Sequence, residues 1–117
     1  MTLSRTDAES FVTTWIAAWN RHDLDAVMDM CADDVVFEST FLIDMFDTPS
    51  GTLRGKDELR RWFAANMAPG EIHIDDPIHV LVGLDSVVLV ESISGTVAAN
   101  VFTLDPAGKI ARSVVHG

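Results

Sequence analysis

The 117 residues suit one domain around one core, and an apolar content of 48% supports a well-packed fold. Eighteen acidic residues against eight basic ones give a net charge of −10, which sets the chain against nucleic-acid phosphates. No apolar run approaches the ~18 residues of a membrane span, MTLSRTDAES holds no hydrophobic stretch of signal-peptide type, and Cys31 has no second cysteine to pair with. A cytoplasmic protein with neither nucleic acid nor a membrane as partner is the expectation.

Thr6 and Glu9 fit a capping box with Thr6 as N-cap. Phe11, Trp15 and Trp19 then recur every four residues beside Val12 and Ile16, which makes one apolar helix face. Asn20-Arg21-His22 forms a turn that leaves His22 exposed. Asp23 caps a second helix whose inner face is Leu24, Val27, Met28 and Cys31, and which Asp33-Asp34 closes. Val35 to Thr40 alternates as a strand with Val35, Phe37 and Ser39 on one face. FLIDMFDTPSGTLRG, residues 41–55, is apolar and then turn-rich, either a short helical turn or a lid. Residues 56–67 form a third helix that buries Leu59, Trp62, Phe63 and Met67 and stops at Pro69-Gly70. The basic cluster of Arg54, Lys56, Arg60 and Arg61 reads as a solvated helix face.

The remainder reads as strand. Residues 71–82 form one strand, bulged at Asp76-Pro77 because proline cannot donate to a ladder. Residues 86–94, 96–104 and 109–116 follow, with turns at 83–85, at Gly95 and at Asp105 to Gly108. Helices first and an antiparallel meander second is an α+β pattern. It predicts a curved, mostly antiparallel sheet wrapped around three N-terminal helices, a cone-shaped, cystatin-like α+β roll. Helices cannot cover a strongly curved sheet everywhere, so a cone-shaped pocket is expected in the gap.

WIAAWNRHDLDAV (15–27), ADDVVFE (32–38), RGKDELRRWF (54–63) and DPAGKI (105–110), with the order of elements, resemble the nuclear transport factor 2-like superfamily. Within it the closest resemblance is to the ketosteroid isomerase-like and SnoaL-like polyketide cyclase branch, and it covers nearly all of residues 1–117 as a single SnoaL-like domain. The resemblance implies a carboxylate base at the end of the first strand, which falls on Ser39, and a first-helix tyrosine donor, which falls on Trp15. A further pocket tyrosine falls on Phe63, and a protonated aspartate donor falls on Asn100. Serine does not shuttle protons at neutral pH without a partner base, and the chain has no tyrosine. Asparagine donates a hydrogen bond without a raised pKa. Ordinary ketosteroid isomerase chemistry is therefore not expected.

Asn100, Asp44 and Ser39 are the candidate catalytic residues. Asn100 either anchors a ligand oxygen or ties strands together. Asp44, with Asp47 beside it, is either a displaced base among Phe41, Leu42, Met45 and Phe46 or a solvated acid. Glu91, mid-strand, needs a partner if it is buried; it is either catalytic or paired across an oligomer interface, and structural pairing is the expectation. Trp15, Trp19, Phe37, Phe63, Phe102 and Met28 are expected to line the pocket and to favour a small apolar molecule. His22, His73, His79 and His116 show no metal-ligand spacing, so neither a metal nor a cofactor is expected. Val, Leu and Ile on both faces of residues 86–94 predict a homodimer through the sheet. An acid–base isomerase, cyclase or hydratase acting on an apolar, oxygen-bearing substrate is one functional reading. A non-catalytic ligand-binding module and a dimeric scaffold with a vestigial pocket are the others.

Overall fold

The computed structural model describes residues 2–46 and 48–117, with the side chains of Met45 and Phe46 left aside. The order of elements is α1 (Arg5–Asn20), α2 (Leu24–Asp29), β1 (Cys31–Ser39), α3 (Thr40–Phe46), β2 (Thr52–Arg54), α4 (Lys56–Met67), β3 (His79–Val82), β4 (Ser86–Ile93), β5 (Thr96–Leu104) and β6 (Ile110–His116). The six strands form one sheet in the order β2-β1-β6-β5-β4-β3. Only the β1–β6 pair is parallel, so the expected mostly antiparallel α+β architecture is the observed one. Among the described residues, four helices rather than three precede the meander. No helix among the described residues is long and apolar enough to cross a membrane.

Local chemistry sets several boundaries away from the sequence expectation. Helix α1 starts at Ser4, not Thr6. The Ser4 hydroxyl accepts the Asp7 N–H at 3.0 Å and the Asp7 carboxylate accepts the Ser4 N–H at 3.1 Å, a closed capping box. Helix α2 is capped by Asp23, as expected, but ends at Asp29. There the Met30 carbonyl accepts the Ile110 N–H at 2.8 Å, and Cys31 enters the sheet beside Ile110. Asp33 and Asp34 therefore lie in β1 and are exposed rather than closing a helix.

The segment 41–55 holds both α3 and the short strand β2, which pairs with β1 and which the turn-rich sequence did not reveal. Gly55 links β2 to α4 at φ 87°, a left-handed value that favours glycine, and its N–H reaches the Val35 carbonyl at 2.8 Å. The long strand expected over 71–82 is regular only from His79. Upstream of it, a single bridge joins Ile74 to Ile93, and Asp75 and Ile78 donate to Ser92 and Val90. Pairing with β4 continues on both sides of Pro77, which has no N–H, but its register shifts between Ile74 and His79, the irregularity expected at Asp76-Pro77.

The register divides the sheet into two faces. Across the inner face run Val80, Leu89, Asn100, Val115 and Ser39, with Glu91 opposite Ala98 one step along. Helices α1 and α4 lie over this face. Val12, Trp15, Leu59, Phe63, Leu89 and Phe102 belong to the one buried apolar cluster.

Candidate functional site

Helix α1 presents Trp15 and Trp19 a turn apart, and α4 presents Trp62 and Phe63. The rings meet edge to face: Trp19 and Phe63 at 4.9 Å, Trp15 and Phe63 at 6.1 Å, Phe37 and Phe63 at 5.6 Å between centroids. Edge-to-face is a favoured arrangement of aromatic pairs at these separations. Between them and the inner face of the sheet lies a cavity of about 500 Å³. Its floor is the inner face of β1, β4, β5 and β6, and its rim is formed by the end of α4, the segment from Pro69 to Ile74, and the β4–β5 turn.

The turn between α1 and α2 holds that rim in place. Asn20 donates to the Ile74 carbonyl at 2.8 Å and accepts the Ile74 N–H at 2.7 Å. His22, at φ 54°, is half-buried rather than exposed, with Nε2 3.0 Å from the Ile72 carbonyl. The tight fold-back of WNRHD thus clamps the one wall of the cavity that has little ladder bonding of its own.

Glu91 is the central polar feature. It is 2% exposed, lines the cavity, and its Oε2 has no hydrogen-bond partner among the described residues. Desolvation by burial pushes its carboxyl pKa from the ordinary 4.5 up to about 7. Glu91 and Asn100 are diagonal neighbours on adjacent strands, a relation that places side-chain origins about 7–8 Å apart or less. Asn100 is buried, and its Oδ1 accepts the Ser113 hydroxyl at 2.8 Å. That bond occupies the acceptor end of the amide and leaves the Nδ2 end available to the cavity. Trp19 Nε1 is a second buried polar atom without a partner among the described residues.

Of the residues expected at the site, Asn100, Ser39, Trp15, Trp19, Phe37 and Phe63 lie on the cavity lining. Three do not. Phe102 is fully buried between Phe11 and Trp15, each 4.9 Å away, and belongs to the core. Met28 is buried on α2, which packs on α1, α4 and β1, away from the lining. Asp44 is exposed, because the buried Leu42 fixes which side of α3 faces inward and turns Ile43 and Asp44 outward. Asp47 falls outside the described residues. The Ser39 oxygen accepts the Phe41 N–H at 3.2 Å and so serves the start of α3.

The sequence leaves Glu91 either catalytic or paired across an oligomer interface; within the chain, no ion pair engages it among the described residues. The usable signal was its phase: Val87, Leu89 and Glu91 share a face, and the first two are completely buried. Burial also pushes the Cys31 thiol up to about 11, which leaves it inert as a nucleophile. No group of three or more potential metal ligands occurs among the described residues.

Residues 12–115 match the sequence pattern of the SnoaL-like domain. The chain belongs to the SnoaL-like domain family. It is similar to a SnoaL-like protein of unknown function from Burkholderia thailandensis, with 30% identity over 99% of this chain and 98% of the other, and a TM-score of 0.94. SalBIII, an epoxide hydrolase/cyclase-like enzyme with a role in pyran ring formation in the polyether salinomycin, is 24% identical. That likeness covers 97% of this chain and 92% of SalBIII, with a TM-score of 0.76. A polyketide cyclase candidate from Sinorhizobium meliloti is 21% identical over 97% and 100% of the two chains, with a TM-score of 0.73. These last two likenesses show the shared NTF2-like cone fold alone. A search of curated proteins finds no match to the chain.

Proposed function

We propose that this SnoaL-like chain is an acid–base enzyme that isomerises or cyclises an apolar, oxygen-bearing small molecule in the cavity. The observation that carries this reading is Glu91: a carboxyl group on a cavity wall, with no partner to satisfy it among the described residues and a pKa near 7. A general acid or base works best when its pKa lies near the working pH, because both protonation states are then populated. A structural carboxylate would be held by a cation or by backbone donors instead.

The chemistry follows from what faces the cavity. Ionised Glu91 takes a proton from a carbon next to a carbonyl, and the electron pair of that C–H bond moves into an enolate. The Asn100 amide N–H groups donate to the developing oxyanion. Glu91 then returns the proton at another carbon, which completes an isomerisation, or the enolate carbon adds to a second carbonyl carbon of the same substrate, whose π pair moves onto its oxygen and takes the proton back from Glu91, which closes a ring. The polyketide cyclase and cyclase-like names of similar structures support this class of reaction. A cavity of about 500 Å³ that the aromatic rings leave open speaks against a vestigial pocket.

The test is hydrogen exchange. A panel of apolar cyclic ketones in deuterated water, followed by NMR, is expected to exchange α-protons faster with the protein than without it, with an inflection near pH 7. Glu91→Gln is expected to lose this by about 10²-fold or more, the usual scale of a general base. Full exchange by Glu91→Gln would remove Glu91 from the chemistry.

A further inference from the structure

Every side chain that α1, α4, β1, β5 and β6 turn to the cavity is aromatic, aliphatic, hydroxyl or amide. The two ionisable groups on the lining, Glu91 on β4 and Glu71 on the rim, are both acids, and no Lys, Arg or His is among the lining residues. The other titratable groups nearby lie off it: His22 has its Nε2 on the Ile72 carbonyl behind the rim, His73 faces Asp75 at 3.4 Å, and His116 follows Val115 on the opposite face of β6. The backbone adds to the same sign. Helices α1 and α4 meet the cavity by their last turns, through Trp19 and through Ala65 and Asn66, and neither last turn holds a basic residue. Helix C-termini carry negative partial charge. The short α3 starts at the cavity, where the Ser39 oxygen accepts a backbone N–H of its first turn.

Six aromatic residues, Trp15, Trp19, Phe37, Phe41, Trp62 and Phe63, complete the lining, and their faces are negative as well. An anionic substrate is repelled by the two carboxylates of this lining, with no cation among the described lining residues to offset them. A neutral one leaves Glu91 buried without a counter-charge. A cation over aromatic faces and beside a buried carboxylate satisfies both features at once. Resting on the acid–base reading of this cavity, we propose that its substrate class is an apolar amine, bound as the ammonium ion by the aromatic walls and the field of Glu91 and Glu71.

Charge coupling gives the sign of the pH dependence. A bound cation favours ionised Glu91, so cation affinity is full above pH 7 and falls as the free protein's carboxyl takes up its proton. A permanently charged probe isolates this effect, because only the protein titrates. Benzyltrimethylammonium and its neutral isostere neopentylbenzene form such a pair. All three tryptophans of the chain line the cavity, so intrinsic fluorescence reports binding there.

At pH 8 the cation is expected to bind wild-type protein at least tenfold more tightly than the isostere. The preference is expected to shrink to about threefold or less at pH 5.5 and in Glu91→Gln, which should still bind the isostere and keep the wild-type circular dichroism spectrum. Equal or tighter binding of the isostere at pH 8 overturns the amine class and leaves the acid–base reading of the cavity standing. An undiminished cation preference in Glu91→Gln overturns the role given to that carboxylate. Binding of neither probe overturns both the substrate class and the ligand cavity itself.

Discussion

The buried carboxyl group of Glu91 makes the stability of this fold depend on pH. The folded-state pKa of Glu91 lies near 7 against an ordinary 4.5. Between those values the folded chain holds a proton that the unfolded chain has released, so the unfolded state binds fewer protons and stability falls as pH rises. Below about pH 4.5 the group costs nothing. Above pH 7 the cost is complete, and at about 1.4 kcal/mol per pH unit of displacement it is on the order of 3 kcal/mol. Urea denaturation of wild type and Glu91→Gln across pH 4.5 to 8 isolates it. The variant is expected to gain about 2–3 kcal/mol on wild type over that interval, and parallel curves would place Glu91 in a solvated or paired setting. Ser39, Asn100, Trp15 and Phe63 were marked by the resemblance to ketosteroid isomerases, and strand alternation and helix spacing added Trp19 and Phe37. The solitude of Glu91 was not legible, because it depends on what α1, α4 and the rim bring opposite it. Those elements bring rings and amides, and no sequence period encodes such an absence.

Among the elements, those with a strong periodic face were legible almost to the residue, as α4 and β5 show. Where two short polar residues compete to cap a helix, the sequence is ambiguous. Ser4-Asp7 and Thr6-Glu9 have the same spacing, and the outcome is decided by tertiary anchors: the Leu3 N–H bonds the Leu84 carbonyl at 3.0 Å, and Arg5 bonds the Val80 carbonyl. These hold the chain extended up to Ser4. Ser4→Ala is expected to cost about 1 kcal/mol of stability and Thr6→Ala about 0.5 or less, since only Ser4 holds an otherwise orphaned N–H. Thermal melts of the two variants check this, and the reverse order would move the start of α1 back to Thr6. The segments that misled, β2 and 71–78, are those whose conformation is imposed by a neighbour. The first is drawn in by β1, and the second is held by Asn20 and by β4.

At the scale of the whole molecule, the outer face of the sheet remains without a covering helix. Its central cross-strand row is Leu81, Val88, Val101 and Val114, ending at Glu38, and Val97 lies in the next rows toward the β4–β5 turn. Leu81 is 55% and Val97 59% exposed, on a sheet whose other face lies under α1 and α4. An antiparallel sheet with one solvated face alternates apolar and polar residues, whereas β4 carries valine on both faces and β5 sets Val97 and Val101 on the outer one. We propose that a second copy of the chain covers this row, with Glu38 and its ion-paired Arg112 at the margin of the contact. Apolar residues at the centre and charges at the edge are the usual anatomy of such an interface. Sedimentation equilibrium is expected to give twice the 12.8 kDa chain mass. Val101→Lys, which sets a charge at the centre of the row without touching the cavity, is expected to give a folded monomer. A wild-type monomer at tens of micromolar would leave the valine row without a partner of its own kind. Because Val101 and Asn100 are adjacent on β5, a dimer would also stiffen the strand that carries the amide. Cavity binding in Val101→Lys, compared with wild type, reads that connection between the two faces of the sheet.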